Sequence, residues 1–153
     1  MLARAAHVVI VVALVAILGV ATLQSRLPIG PVILLLSLIP LLGLAVARCS
    51  WKGAVPDLVF GAIDTGLLTI PALWGGAAFG VAGAIAGGVI GDALTDAVAG
   101  FFEGGVARWL RAKGIEASRE PLSTALGKMA GCLLGSGLVL SVALSLGIRP
   151  TFD

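Results

Sequence analysis

The sequence predicts an all-α, polytopic integral membrane protein: a helix bundle of about five spans, closely packed through glycine. Three observations predict it. Of 153 residues, 59% are hydrophobic and 12% charged, with a mean hydropathy of +1.12, more apolar surface than a water-soluble domain of this size can hide. The apolar residues fall into runs near the roughly 20 residues that a spanning helix needs. Within those runs, glycines recur four apart, a spacing that lets helices in lipid approach backbone to backbone.

We read the chain as one membrane domain, 1–153, with spans near 5–23, 29–47, 54–73, 76–102 and 122–146. The first is apolar apart from His7 and Thr22. A cleaved signal peptide is the competing reading, with Arg4 in its basic region and small residues near Ala21. His7 reads as an interfacial side chain. The second span opens at Pro28 and Pro31, kinks or breaks at Pro40, and ends in Arg48-Cys49-Ser50-Trp51-Lys52, an interfacial composition. In the third, Pro56 and Asp57 suit the first turn of a helix, whereas Asp64 falls mid-span among small residues. Pro71 and Trp74 mark the far interface, and Gly75-Gly76 is the expected turn into the fourth span. An amphipathic segment, 106–115, is expected on the membrane surface, and 116–121 is a polar linker. In the fifth span, Gly127, Gly131 and Gly135 form a second small-residue row, and Lys128 snorkels or serves as a counter-charge.

Cation placement orients the chain. Arg4, Arg48, Lys52, Arg108, Arg111, Lys113 and Arg119 share one side, against Arg26 and Arg149 on the other. The N-terminus is therefore expected in the cytoplasm and the C-terminus outside. The net charge of +2 is scattered and forms no nucleic-acid patch. Cys49 and Cys132 read as free thiols. So short a chain encloses a solute path more readily as a homodimer.

The stretch 76–100 carries the functional argument. It holds no cation and two carboxylates, Asp92 and Asp96, one helical turn apart. Their face continues backwards through Gly88, Ala84, Gly80 and Gly76, and a neighbouring row reads Gly83, Gly87, Gly91, Thr95 and Ala99. Carboxylates at membrane depth are costly and mark ion paths or bundle interiors. Asp64, Thr65, Asp92, Thr95 and Asp96 supply only hard oxygen donors, which suit sodium, calcium or magnesium rather than zinc or copper.

From Gly61 to Gly135 the chain resembles the transmembrane protein 65 family of the mitochondrial inner membrane. Gly61-Ala62-Ile63-Asp64-Thr65 is similar to a family Gly-Phe-x-Asp-Asn block. Gly91-Asp92-Ala93-Leu94-Thr95-Asp96 is similar to Gly-Asn-x-x-Ser-Asp. Leu126-Gly127-Lys128 through Gly131-Cys132-Leu133-Leu134-Gly135 is similar to a third block, and the order and connecting lengths agree. Asp92 and Thr65 stand where the family tends to have Asn, and the family's glutamate falls near Ala107, whereas here Glu103 lies a turn earlier. The resemblance implies a role in sodium-dependent calcium efflux. The chain has no long N-terminal targeting region, so the expected setting is a bacterial plasma membrane.

The function expected from the sequence is therefore a small secondary cation transporter, most simply sodium- or proton-coupled calcium antiport through intramembrane aspartates. Calcium and sodium are its expected ions, with the bilayer and a second copy as its partners. The alternative is a non-transporting scaffold or regulatory subunit that packs through its glycine rows. An enzyme is not expected: His7 is the sole histidine, tyrosine is absent, and no phosphate-binding Gly-Lys-Ser/Thr loop occurs.

Overall fold

The computed structural model describes residues 2–112 and 120–148, and for 99–111 the backbone alone. The described residues form five helical elements and no strand. They are α1 (Leu2–Gln24), α2 (Ile29–Leu36), α3 (Leu38–Val46), α4 (Trp51–Ala112) and α5 (Pro121–Ser145). Four segments are long and apolar enough to cross a membrane: Leu2–Gln24, Ile29–Val46, Trp51–Val98 and Pro121–Ser145. The all-helical, membrane-spanning character is as the sequence predicts; the division into segments differs.

The difference lies in α4. The third and fourth expected spans belong to one 62-residue element whose helical geometry is interrupted at Gly80, with φ 64° and ψ −149°. That backbone region is open essentially to glycine alone. The chain reverses there, so 51–79 and 81–112 form two arms of a hairpin. The turn expected at Gly75-Gly76 is thus displaced, because those two glycines serve the crossing of the arms instead. A Cβ on Gly75 would lie 2.1 Å from the Gly83 carbonyl oxygen, and one on Gly76 would lie 3.3 Å from Ala84 Cβ.

The break in the second expected span falls at Ser37, between α2 and α3, rather than at Pro40. Proline perturbs the turn that precedes it: it lacks an N–H and crowds the carbonyl four residues back. Ser37 and Pro40 are both fully buried, and Ser37 Oγ donates to the Leu34 carbonyl. The kink is therefore packed inside the bundle.

Helix α5 is the element against which all the others pack. It runs parallel to the first arm of α4, and one four-residue step on either helix matches one on the other. Cβ atoms on Gly127, Gly131 and Gly135 would lie 2.8, 2.0 and 2.0 Å from the carbonyl oxygens of Ala54, Leu58 and Ala62. On its other flank α5 runs antiparallel to α2, where Gly30 meets the Ser141 backbone and Gly137 meets that of Leu34. The apolar core, Val11, Leu44, Cys49, Ala54, Leu122 and Leu126, gathers at the end where α3 leads into α4. At this end Arg4 pairs with Glu120, tying the start of α1 to the start of α5.

Gly131→Ala is expected to destabilise the protein by about 1–3 kcal/mol, since its methyl must displace backbone. Gly19→Ala, with nothing within 4 Å of the added carbon, is expected to be neutral or slightly stabilising. Denaturation of both variants in detergent checks this; equal effects would contradict the packing described.

Candidate cation site

The hairpin in α4 is built on small residues. Gly83 faces Gly75, Gly87 faces the Pro71 carbonyl at 2.2 Å from its would-be Cβ, and Gly91 faces Pro71 Cγ and the Leu68 backbone. Going down the second arm therefore climbs back along the first, from 75 through 71 to 68. At the tip, Trp74 and Phe79 stack edge to face with centroids 6.2 Å apart, an aromatic pair suited to a membrane interface.

Asp64 lies four residues before Leu68 and seven before Pro71, so it occupies the helical stripe that faces the second arm. Ten residues separate it from Trp74, about 15 Å along a helix. With Trp74 at the interface, as the sequence predicts, that corresponds to the mid-depth of a hydrocarbon core about 30 Å thick. Asp64 is 9% exposed, and its Oδ1 has no hydrogen-bond partner. Continuing the antiparallel pairing one turn past Gly91 sets Thr95 at its level. Thr95 is half-buried, and its hydroxyl donates to the Asp92 carbonyl.

Asp57 repeats the pattern two turns earlier. It is 9% exposed and its Oδ2 has no partner. The sequence assigns Asp57 to a helix terminus, but α4 begins at Trp51 and its first turn contains no acid. Asp57 therefore sits in the second turn, beyond the free N–H groups that stabilise a terminal carboxylate. Pro56 likewise lies inside the helix rather than at its start. The spacing of seven between Asp57 and Asp64 puts both on one face and was the available sequence signal.

Asp92 and Asp96 are differently placed. The row of the second arm packed against the first is Gly83, Gly87 and Gly91, of which Gly83 and Gly91 are buried. The row that carries the two aspartates runs along the flank: Ala84 and Gly88 are half-buried, while Asp92 and Asp96 are exposed. Thr65 is half-buried; its carbonyl accepts the hydroxyls of Thr69, at 2.6 Å, and Ser136, at 3.5 Å. Within the chain, then, Asp64 and Thr95 lie on facing stripes, Thr65 turns towards α5, and the Asp92–Asp96 pair lies outside the crossing. Among the described residues, no three His, Cys, Asp or Glu side chains converge as a metal-ligand set.

The neighbouring polar groups are engaged elsewhere. Lys128 is exposed, with its Nζ 5.6 Å from the Phe60 ring centroid. Arg4–Glu120 is the one ion pair among the described residues. His7 Nε2 lies 3.1 Å from the Gly43 carbonyl, so this ring ties α1 to α3 and is not purely interfacial. Cys49 and Cys132 are free thiols. The expected surface segment, 106–115, has side chains outside the described residues apart from Ala112, and its backbone is helical to Ala112.

No protein-family model, curated protein or solved structure matches this chain.

A buried carboxylate oxygen without a partner costs upwards of about 1–3 kcal/mol. In sodium-free, chelator-treated buffer at neutral pH, Asp64→Asn removes the charge but keeps a polar amide, so it is expected to leave stability unchanged or to raise it by up to about 1 kcal/mol. Asp92→Asn is expected to change stability by less than about 0.5 kcal/mol. Thermal unfolding in chelator-treated detergent measures both, and a destabilised Asp64→Asn would contradict the burial argument.

Proposed function

We propose that this chain is a small secondary cation transporter, most simply a sodium- or proton-coupled calcium antiporter of a bacterial plasma membrane. The observation that carries the reading is Asp64: a nine-tenths buried carboxylate at mid-span depth with an oxygen left unpaired. A carboxylate held there needs a cation or a proton as company, and an antiporter is a device for exchanging that company. Calcium takes oxygen ligands only, and Asp64, Thr65, Asp92, Thr95 and Asp96 offer no others.

Asp92 and Asp96 lie on an exposed flank, which favours a homodimer. Two second arms related by a two-fold axis along this flank would bring carboxylates from both copies to one interface, where a divalent ion offsets their repulsion. The five-pass topology belongs to the same reading: 51–79 and 81–112 are each long enough to cross, and they reverse at Gly80. The Arg4–Glu120 pair agrees with an N-terminus on the same side as the linker before α5. The resemblance to the transmembrane protein 65 family supports the choice of calcium and sodium.

A scaffold or regulatory subunit is the second reading. The exposed flank of Ala84, Gly88, Asp92 and Asp96 favours it, because half-buried small residues leave room for a foreign helix.

Uptake of labelled calcium by proteoliposomes containing only this chain separates the two. The transport reading expects gradient-driven uptake that Asp64→Asn reduces by at least tenfold, a loss equivalent to about 1.4 kcal/mol. No flux from correctly folded protein, with or without a sodium or proton gradient, would leave the scaffold.

A further inference from the structure

We propose that Asp57 and Asp64 are two stations for a monovalent cation, a proton or sodium, stacked along the buried stripe of the first arm of α4. The inference deepens the transport reading, on which it rests, by adding Asp57 and by naming the class of coupling ion.

The two residues are seven apart, so they share one helix face and lie about 10 Å apart along its axis. Each is 9% exposed, and each has one carboxylate oxygen without a partner, Oδ2 of Asp57 and Oδ1 of Asp64. Between them Gly61 brings α5 against the stripe, where a Cβ would lie 2.6 Å from the Lys128 carbonyl oxygen. This encloses the two levels from one side. Higher up, Leu68, Pro71 and Gly75 seal the same stripe against the second arm.

Neither carboxylate has an ordinary structural explanation. The ion pair among the described residues is Arg4–Glu120, so neither is neutralised by a described cation. Asp57 is beyond the first turn of α4, so terminal N–H groups do not hold it. Around the stripe, the titratable side chains are Lys128 and Cys132 of α5, Asp92 and Asp96 of the second arm, and Cys49 before α4. Lys128 lies over Phe60, Asp92 and Asp96 are exposed, and Cys132 Sγ lies beside Gly61. Glu103 is on the second arm, with its side chain outside the described residues.

The charge count selects the ion. Each station offers one negative charge, and ligand bonds to calcium or magnesium are only about 2.0–2.6 Å long. Two carboxylates about 10 Å apart therefore cannot share one ion. A single proton or sodium neutralises each station in full, whereas a divalent ion would leave one positive charge buried. The lower station, Asp57, lies towards the end where α4 begins, and the upper one, Asp64, lies at mid-depth. A monovalent ion entering from that end meets them in turn.

The test is infrared difference spectroscopy of the full chain in lipid nanodiscs. One arm changes pH without sodium, and the other exchanges sodium for N-methylglucamine at fixed pH. Over the background of the other carboxyls, the wild type is expected to show two further carboxyl bands in whichever arm supplies the ion. Asp57→Asn and Asp64→Asn should each remove one signal, and Asp57→Glu should restore the lower one. Thermal unfolding of the Asn variants confirms that they are folded. If Asp57→Asn leaves both arms unchanged while Asp64→Asn removes a signal, the second station is disproved and the transport reading stands. If Asp64→Asn is also silent, both fall.

Discussion

The close approach of glycine to the backbone of a neighbouring helix is the interaction that recurs through this structure. The first arm of α4 lies between two such contacts. On one side Gly127, Gly131 and Gly135 of α5 press against Ala54, Leu58 and Ala62; on the other Gly83, Gly87 and Gly91 press against Gly75, Pro71 and Leu68. Lipid tails are as apolar as leucine, so helices in a bilayer gain little from burying apolar side chains and associate through close packing. Asp64 is buried beside these contacts, and among the described residues it pairs with no lysine or arginine. The same packing that makes the bundle cohere thus creates its most costly residue.

That coupling explains why the site sits where it does. A carboxylate on the outer flank, such as Asp92, is left to whatever covers that flank. One on the inner stripe, such as Asp64, is buried beside the crossing of the two arms. Lys128 is on the adjoining helix, yet its ammonium lies over the Phe60 ring. The carboxylate and hydroxyl groups on the facing stripes, Asp64 and Thr95, are hard oxygen donors.

Much of this was legible in the sequence. Hydropathy runs gave the apolar segments, because length and composition alone fix which helices fit a bilayer. The glycine row of α5 was legible because its period of four needs no knowledge of the partner. The burial of Asp64 was legible because it falls among small residues inside a long apolar run. The reversal at Gly80 was not: with so many glycines in 75–91, only tertiary packing decides which one takes a positive φ and which ones line a crossing. For the same reason the row facing the first arm turned out to be Gly83, Gly87 and Gly91, one residue round from the row with Asp92 and Asp96. Asp57 was misplaced because Pro56 beside it mimics a helix start, whereas the helix begins five residues earlier, at Trp51. Ser37 takes the break expected at Pro40 because proline disturbs the preceding turn.

The account stands or falls on whether Asp64 holds a cation inside the bilayer. Crystals of the lipid-embedded protein, grown with strontium in place of calcium and with thallium(I) as the anomalous monovalent probe, test this through anomalous difference maps. A peak is predicted within coordination distance of the Asp64 carboxylate with at least one of these ions or, where the occupant is a proton, no peak and no lysine or arginine beside the carboxyl. A map with no peak there, together with a lysine or arginine side chain paired to Asp64, would contradict it.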